Sequence, residues 1–435
     1  MRKILIGIVL CILALIIGCW IWIYNRQSQS QRAHVHPEST FLIDISVDEV
    51  LRDMSWNALA NPSYYLKDST GFSKGDQKIS LWNMGWKIPS HLYFFNIPSD
   101  PHTLFAIQKI TDVEKFEVFL KENLGLQLDS TFRQGEFKVV KSKNQLLTIL
   151  FDQTTMAVAI SRKTNDQSQK LAHLLRHPQG LVAIADFKLA DTLVAGDISV
   201  IDLKDQSYVH VFFEKGKIQL KGYLKHSLWH APKKTSVLRA LDTTKALSFY
   251  FNADIRRLLE RYKSDLDQKG IPTDTLMNYF GGYLDAHIDK QMLLQEDTIV
   301  TYELDDNFEL SPRRTIQQTE VPNMQFAIRA SSHLKNYLPE KMYYRFNKSQ
   351  FEDFILLSTD PKANLIVNKV ESPFYFQMHL VPSKLHLPFM EDYLTPLSKF
   401  TEINMQMQQL TPGETILKGE LGMKEKSIYA LYQWL

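Results

Sequence analysis

Residues 40–54 read TFLIDISVDEVLRDM, in which apolar and polar side chains alternate up to Asp48 before the spacing becomes helical. Alternation is typical of a half-buried strand, because successive side chains of a strand point to opposite faces. The same pattern returns in KALSFYFNADIRRLLERY, residues 245–262, with Asp254 in the place of Asp48. Each half of the chain is therefore predicted to begin with a strand that runs directly into a helix.

Three further segments recur in the same order, which predicts that the body of the protein is duplicated. They are Thr70-Gly71-Phe72-Ser73 and Lys269-Gly270-Ile271-Pro272, LFAIQKITDVEKF (104–116) and QFAIRASSHLKNY (325–337), and KIQLKGYLKHS (217–227) and TILKGELGMKEKS (415–427). We expect two repeats, over residues 41–226 and 244–435, with a connector over 227–243. A chain of 435 residues is long enough for two or three domains of about 150 residues each.

Strand-like runs dominate both predicted repeats. The clearest are FLIDISV (41–47), HLYFFNI (91–97), TLFAIQ (103–108), FKVV (137–140), LLTILF (146–151), MAVAI (156–160), YVHVFF (208–213), ALSFYF (246–251), TIVTYEL (298–304), NLIVNKV (364–370), FYFQMHL (374–380) and INMQMQ (403–408). The runs come in close pairs joined by short turns, which favours antiparallel sheets over a doubly wound parallel sheet. The predicted fold class is therefore α+β, with two similar tandem repeats of mainly antiparallel sheet and packed helices.

Two helices are predicted with defined ends. Thr111 and Glu114 match a capping box, in which each side chain binds an orphan backbone donor at the start of a helix. A second helix begins near Ala253 and ends at Gly270 and Pro272, since glycine adopts the left-handed conformation and proline cannot continue a helix. Gly270 is accordingly expected to have a positive φ angle.

The segment Ile4–Tyr24, ILIGIVLCILALIIGCWIWIY, contains no charged side chain. A helix of this length, at about 1.5 Å per residue, spans the roughly 30 Å apolar core of a bilayer. Arg2 and Lys3 precede the segment, and three aromatic side chains lie near its far end, where amphipathic rings favour the membrane interface. Residues 1–24 are therefore predicted to be one transmembrane helix that anchors the protein, with the N-terminus cytoplasmic and the body extracytoplasmic, on the periplasmic side.

Two alternatives for this segment also export the body from the cytoplasm. One is a secretory signal that is cleaved. The other is a lipoprotein anchored at Cys19, because Ile16-Ile17-Gly18-Cys19 resembles a bacterial lipobox. Residues 25–40, NRQSQSQRAHVHPEST, are polar and predict a flexible stalk between the membrane and the body.

Composition argues against several classes of function. Cys11 and Cys19 are the only cysteines and both lie in the apolar segment, so the body has no disulfide, thiolate metal site or cysteine nucleophile. The 50 basic and 48 acidic side chains nearly balance, which argues against a nucleic-acid partner. No G-x-G-x-x-G motif and no phosphate-binding loop occur, so no nucleotide cofactor is expected.

Short motifs that resemble catalytic or metal sites each lack the context that the chemistry requires. Gly71–Gly75 matches G-x-S-x-G, but no strand precedes it and no helix follows it, so Ser73 is not expected to be a nucleophile. Two histidine pairs have the spacing of a helical zinc pair but lack the glutamate that acts as general base, namely His173 with His177 and His226 with His230.

Three other stretches of sequence also lack the features that a functional site would require. Ser332 and Lys335 lack the companion motifs of an acyl-serine enzyme, and Asp305–Asn307 lacks the spaced ligands of a calcium loop. Leu81–Trp86, LWNMGW, is expected in the core rather than on a surface for a partner or lipid, because aromatic side chains dominate cores. No catalytic, cofactor-binding or metal-binding residue is assigned.

A family resemblance accompanies these patterns. The order strand, helix, Gly-apolar, short helix, Gly-Gly, strand occurs in GIPTDTLMNYFGGYLDAHI (270–288), and the FAI(Q/R) pattern occurs at 105–120. Together these resemble an uncharacterised family of duplicated, membrane-anchored extracytoplasmic bacterial proteins, known only as a domain of unknown function. The resemblance covers most of residues 41–435, although LWNMGWKIPSH (81–91) stands where the second repeat has Gly281-Gly282. It implies an envelope protein and no catalytic residue.

A membrane-tethered, non-enzymatic envelope protein is the function that these observations favour, with an envelope protein or a lipid or other apolar ligand as the expected partner. The alternative is an exported hydrolase whose active site is dispersed along the sequence. The two hypotheses predict different cavities. A carrier needs an apolar groove, whereas a hydrolase needs a polar pocket in which serine or carboxylate side chains converge.

Overall fold

The computed structural model describes residues 21–68, 84–129, 137–186, 195–226, 228–268, 270, 272–304, 310–338, 344–363, 369–387 and 391–435. The chain divides into two compact units. Unit 1 comprises Met1–Phe213 with Ser427–Tyr432, and unit 2 comprises Glu214–Lys426 with Gln433–Leu435.

Unit 1 consists mainly of antiparallel strands. The strands are β1 (His34–Val35), β2 (Phe41–Ser46), β3 (His91–Ile97), β4 (Asp100–Lys109), β5 (Gln127–Leu128), β6 (Lys138–Lys141), β7 (Leu147–Phe151), β8 (Thr155–Ser161), β9 (Val182–Ala183), β10 (Ile198–Asp202) and β11 (Ser207–Glu214). The helices are α1 (21–31), α2 (Val47–Ala60), α3 (Pro62–Asp68), α4 (Val113–Glu122) and α5 (Ser168–Arg176). Antiparallel pairing runs β6–β7–β8–β4–β3–β2–β10–β11.

Unit 2 is also mainly antiparallel sheet. Its strands are β12 (Lys217–Lys225), β13 (Thr235–Val237), β14 (Leu247–Asn252), β15 (Phe280–Leu304), β16 (Leu310–Ala330), β17 (Asn347–Phe351), β18 (Phe354–Ser358), β19 (Val370–Ser372), β20 (Phe376–Leu380), β21 (Phe400–Thr411) and β22 (Glu414–Met423). The helices are α6 (Arg256–Arg261), α7 (Lys263–Gln268), α8 (Thr273–Tyr279), α9 (Leu334–Tyr337) and α10 (Glu391–Leu394), and α11 (Ala430–Trp434) follows. Pairing runs β17–β18–β16–β15–β14–β20–β21–β22–β12.

The predicted α+β class is wrong, because the described residues form mostly antiparallel sheet with some helices. The longest helix described, α2, has 14 residues, whereas β15 and β16 have 25 and 21. The helix predicted from Ala253 breaks at Tyr262 into α6 and α7. The strand predicted over 298–304 is only the end of β15, which begins at Phe280. The duplication and its boundaries stay predictions.

The predicted N-terminal transmembrane helix is not part of the fold that the structure describes. Of the helices in the described ranges, none is both long enough and apolar enough to cross a membrane. Residues 1–20, which hold most of the apolar segment, lie outside those ranges, and α1 covers 21–31.

A long hairpin distinguishes unit 2. β15 pairs with β14 only through Tyr283–Ile288, and β16 pairs with β18 only through Gln325–Arg329. Beyond these positions Met292–Leu304 pairs with Leu310–Pro322 alone, among the pairings of the described strands. This part of the hairpin is a two-stranded ribbon, and Leu294 and Ile316 on it are exposed.

The helix ends test two local predictions. Gly270 has a φ of 77°, which confirms the predicted left-handed residue after a helix. The capping box at Thr111 is wrong, because the side chain of Asp112 accepts the hydrogen bond from the Lys115 N–H at the start of α4. The Thr111 hydroxyl instead donates to the Gly85 carbonyl.

Two apolar clusters form the core of unit 1. The larger is centred on Leu42, Phe95, Phe105 and Leu150, from the central strands, with Leu171 of α5 packed against them. The second joins α4 to the ends of β7 and β8 and comprises Ile110, Phe116, Leu120, Leu126, Val140, Ile149, Phe151 and Met156. Residues of both clusters, among them Leu174 and Ile110, line the cleft described next.

Candidate binding cleft in unit 1

A cleft of about 870 Å³ opens in unit 1. Five separate parts of the chain line it, namely residues 26–34, 87–91, 107–111, 152 with 155, and 174–181. This volume lies within the range of roughly 300–1,000 Å³ that is typical of small-molecule sites. We refer to it below as the unit 1 cleft.

Arg26 fixes α1 at one side of the cleft. Its guanidinium donates to both carboxylate oxygens of Asp48, at 2.9 and 2.7 Å, and to the Ile88 carbonyl at 3.0 Å. Bidentate contact between a guanidinium and a carboxylate sets geometry as well as charge. The positive charge of Arg26 is therefore neutralised by a residue of α2 and serves the architecture of the cleft.

The cleft wall is further tied together by backbone contacts. The Ser30 hydroxyl accepts a hydrogen bond from the His91 backbone N–H at 3.1 Å. Directly after α1, β1 pairs with β9, with His34 opposite Ala183. These contacts join the segment after α1 to the start of β3 and to the chain that follows α5.

The cleft has an aliphatic wall on one side, while polar and charged residues make up the rest of its lining. Ile107 of β4 faces the cleft, as do Leu174 and Leu175 of α5 and Leu181 beyond it. Ile107, Leu175 and Leu181 are half-buried and pack against the larger core cluster of unit 1. Apolar surface of this kind binds apolar ligands by removing area from water, worth about 25 cal/mol per Å².

His91, which lines the cleft, contacts a buried carboxylate. The His91 Nδ1 is 3.0 and 3.1 Å from the two carboxylate oxygens of Asp44, and both side chains are almost fully buried. Burial raises the pKa of the Asp44 carboxyl above its ordinary value, although the contact with His91 opposes this. Burial alone would lower the pKa of His91, but the hydrogen bond and charge of Asp44 raise it.

Neither His91 nor Asp44 is predicted from the sequence as a site residue. The alternating strand at 40–54 has two isoleucines, Ile43 and Ile45, which look like its core face. In the structure the opposite face is buried, and it carries Leu42, Asp44 and Ser46. Polar residues at alternate positions of an apolar strand can indicate a buried polar site. This signal is useful only when it is known which face of the strand is buried.

Of the catalytic motifs considered from the sequence, two lie outside the described residues. These are Gly71–Gly75 with Ser73, and Asp305–Asn307. Ser332 and Lys335 lie in the turn that starts α9, where the Lys335 N–H donates to the Ser332 carbonyl at 3.2 Å. Their side chains are not brought to the unit 1 cleft.

The structure places the two histidine pairs of the sequence at different elements of the fold. His173 and His177 lie at the exposed end of α5 with ring centroids 4.4 Å apart, and the His177 ring contacts the His173 carbonyl. In unit 2, His230 forms an isolated β-bridge with Asp254. Within the described ranges, no three His, Cys, Asp or Glu side chains are grouped so that they could hold a metal ion.

The aromatic stretch at 81–86 is described only from Met84. Met84 is buried and Trp86 is half-buried against the second core cluster, as expected for core residues. Trp86 also forms an isolated antiparallel bridge with Ile110. This bridge places the segment before β3 beside the end of β4, at the rim of the cleft.

Comparison with protein-family models, with curated proteins and with solved structures finds no match to this chain. The resemblance to a family of membrane-anchored extracytoplasmic proteins therefore stays a prediction.

Proposed function

We propose that the protein is a non-enzymatic envelope protein that binds an apolar ligand in the unit 1 cleft while its apolar N-terminal segment, Ile4–Tyr24, tethers it to the membrane. The observation that supports binding is the cleft itself, with about 870 Å³ of space and an aliphatic wall formed by Ile107 and the leucines of α5 beside its polar lining. Such a wall is the feature that distinguishes a carrier from an enzyme with a polar active site.

A hydrophobic probe tests ligand binding directly. N-phenyl-1-naphthylamine is uncharged at neutral pH and fluoresces when it enters an apolar site. We expect the protein to bind it, and Ile107→Trp to weaken binding at least ten-fold by filling the cleft. Leu181→Gln, which alters the wall without adding bulk, should weaken binding less.

The matched control is Ile160→Trp. Ile160 lies on β8, next to β4, and is 42% exposed outside the cleft. The Ile160→Trp variant should bind the probe with the same affinity as the unaltered protein. Absence of saturable binding, or equal loss in Ile107→Trp and Ile160→Trp, would remove the support for a carrier.

The membrane tether and the orientation of the body need their own test. We expect residues 41–435 to be digested by protease added to intact spheroplasts, because Arg2 and Lys3 precede the apolar segment and favour a cytoplasmic N-terminus. A reporter fused after Leu435 that is active only in the cytoplasm would contradict this localisation. A mature N-terminus at acylated Cys19 would instead identify the lipoprotein alternative.

One observation favours the second candidate function, an exported hydrolase. An imidazole held through Nδ1 by a buried carboxylate, as His91 is held by Asp44, is the arrangement of a general base. Ser90 also lines the cleft, but its buried hydroxyl has no hydrogen-bond partner and so is not linked to the imidazole. A fluorophosphonate probe should therefore leave the protein unlabelled. Labelling that His91→Gln abolishes would favour the hydrolase.

A further inference from the structure

The rim of the unit 1 cleft carries cations that face one another. Trp86 and Ile110 form an isolated antiparallel bridge, and both pack towards the second core cluster. In an antiparallel pair the next residues along, Lys87 and Lys109, are also cross-strand neighbours and point to the opposite face. Their Cα atoms are then about 5 Å apart. Both lysines are exposed and both line the cleft.

Like charges directly opposite each other on a sheet destabilise the pair. Among the residues that the structure describes, no carboxylate forms an ion pair with Lys87, Lys109 or the neighbouring Arg32, in contrast to Arg26, which Asp48 neutralises. The carboxylate among the lining residues is Asp152. Its Oδ1 accepts hydrogen bonds from the backbone N–H groups of Thr154 and Thr155 and closes the turn between β7 and β8.

The cationic rim and the apolar wall are continuous. Ile107 and Lys109 are two residues apart on β4, so their side chains point to the same face of the strand. A ligand that reaches the lysines can therefore lie along Ile107 and the leucines of α5. An uncharged ligand would leave the two lysines opposed, and a small anion would leave the aliphatic wall in water.

We infer that the unit 1 cleft binds a single-chain anionic amphiphile, whose chain lies on the aliphatic wall and whose carboxylate or phosphate contacts Lys87 and Lys109. This inference rests on the proposed function and specifies the ligand class for the same site. The shared chemistry is one anionic head group on one acyl chain. A free fatty acid and a lysophospholipid both supply it.

Displacement of N-phenyl-1-naphthylamine from the full chain separates head group from chain. Laurate and dodecanol have chains of equal length and differ in charge, so we expect laurate to displace the probe at about ten-fold lower concentration, as a charge-assisted contact allows. Lauroyl-lysophosphatidylglycerol and zwitterionic lauroyl-lysophosphatidylcholine form the matching phosphate arm. Whichever anion displaces the probe at the lower concentration identifies the head group.

The double variant Lys87→Gln/Lys109→Gln tests the residues. It should bring laurate and dodecanol to within about three-fold of each other. The affinity for the uncharged probe is measured separately in each variant, so that displacement is compared at equal probe occupancy. The control Lys121→Gln/Lys143→Gln removes two exposed lysines of unit 1 that lie outside the cleft, and it should keep the ten-fold preference. Raising the salt concentration should weaken laurate more than dodecanol, because salt screens exposed charges.

The outcomes distinguish this inference from the proposed function. If the probe binds but laurate and dodecanol displace it equally, the anion preference is overturned and the carrier hypothesis stands. If both lysine variants lose the preference equally, the contacts to Lys87 and Lys109 are wrong. If the probe does not bind at all, the carrier hypothesis itself fails.

Discussion

Each unit has a fully buried aspartate that lies directly opposite a tyrosine across a pair of strands. Asp44 lies opposite Tyr93 across β2 and β3, and Asp285 lies opposite Tyr250 across β14 and β15. In unit 1 the aspartate is on the first strand of the pair, and in unit 2 it is on the second. In both units the buried carboxylate faces a tyrosine across the strand pair. The units differ in the side chain that balances the charge of this carboxylate.

In unit 2 the balancing group is a guanidinium. Arg239 donates to Asp285 through two nitrogens and to the Gln325 side chain at 3.0 Å. The carboxylate also accepts from the Tyr283 hydroxyl at 2.8 Å and from the Ala327 N–H at 3.2 Å. Arginine stays charged at every accessible pH, so this network is static.

In unit 1 the balancing group is an imidazole that lines the cleft. Histidine is the side chain whose ordinary pKa lies nearest to physiological pH, and contact with Asp44 raises the pKa of His91 above that value despite burial. The difference shows that a buried carboxylate can serve two purposes in similar sheets. It makes a fixed structural centre where its partner is permanently charged, and a centre that responds to pH where its partner titrates.

The largest expected effect comes from breaking the network in unit 2. Arg239→Met leaves the Asp285 carboxylate buried without a counter-charge, which should lower the free energy of unfolding by about 3–5 kcal/mol. Hydrogen exchange of peptides from β14 and β15, followed by mass spectrometry, measures the loss within unit 2.

The control for this variant is Arg256→Met. Arg256 forms a surface ion pair with Asp254 and is 66% exposed, so its loss should cost far less than the loss of Arg239. A cost for Arg239→Met no greater than that of the control would show that the buried network contributes little to stability.

The corresponding change in unit 1 is Asp44→Asn, which removes a charge and keeps the shape. The pKa of His91 is raised in the folded state, so folded unit 1 binds more protons than the unfolded chain from about pH 6.5 upward. Its stability should therefore fall as the pH rises above 6.5, by about 2 kcal/mol for loss of a charge-assisted hydrogen bond.

Denaturant unfolding at pH 6 and at pH 9, read from β2 and β3 peptides, tests this slope. Asp44→Asn should flatten the slope above pH 6.5. Burial also raises the pKa of Asp197 to about 6, so this carboxyl loses its remaining proton within the same pH range. Asp197 is present in both proteins, so the difference in slope between the unaltered protein and Asp44→Asn isolates the His91 contribution. An unchanged slope in the variant would show that His91 does not titrate against Asp44.

Unit 2 should show the opposite response to pH. Burial lowers the pKa of His287 to about 4, so the folded unit binds fewer protons than the unfolded chain between pH 4 and the ordinary histidine value near 6.5. Stability is lost as the pH falls through this window, by an amount on the order of 2 kcal/mol. His287→Asn should abolish the loss in β14 and β15 peptides, and an acid loss that persists would contradict the assignment to His287.

The smallest expected effect concerns a helix end. Gly270 has a φ of 77° and open space around the place where a Cβ would be. Gly270→Ala should therefore cost only the strain of the left-handed conformation, about 1 kcal/mol. Gly85 sharpens the test, since an added Cβ there would lie 2.1 Å from the Asp112 carbonyl oxygen. Gly85→Ala should destabilise unit 1 several times more, and equal costs would mean that packing around Gly85 relaxes.

Local patterns predicted the strands well. HLYFFNI at 91–97 coincides with β3, and ALSFYF at 246–251 differs from β14 by one residue at each end. Period-two alternation is a short-range property, so it survives in the sequence without knowledge of the fold. The helix near Ala253 was overestimated because its apolar spacing continues through Tyr262, where the backbone turns between α6 and α7.

The cleft could not be predicted, because no sequence window contains it. Its lining comes from residues as far apart in the sequence as 26 and 181. Lys87 and Lys109 become neighbours only because Trp86 and Ile110, next to them in the sequence, form an isolated bridge. Asp44 was not predicted because the alternating sequence of a strand does not show which of its two faces is buried. Long-range pairing and facing direction are properties of the folded chain, whereas strand boundaries are local.

The ribbon of β15 and β16 has a mechanical consequence. Met292–Leu304 and Leu310–Pro322 extend about 40 Å at roughly 3.4 Å per residue, and in the described strands they pair only with each other. Near the base of the ribbon, the Gln295 side chain also donates to the Arg345 and Thr359 carbonyls. A force that separates the two strands at one end loads their hydrogen bonds one at a time, so the ribbon unzips at low load. A pull along the strands loads many bonds together. The ribbon should therefore yield to peeling and resist stretching.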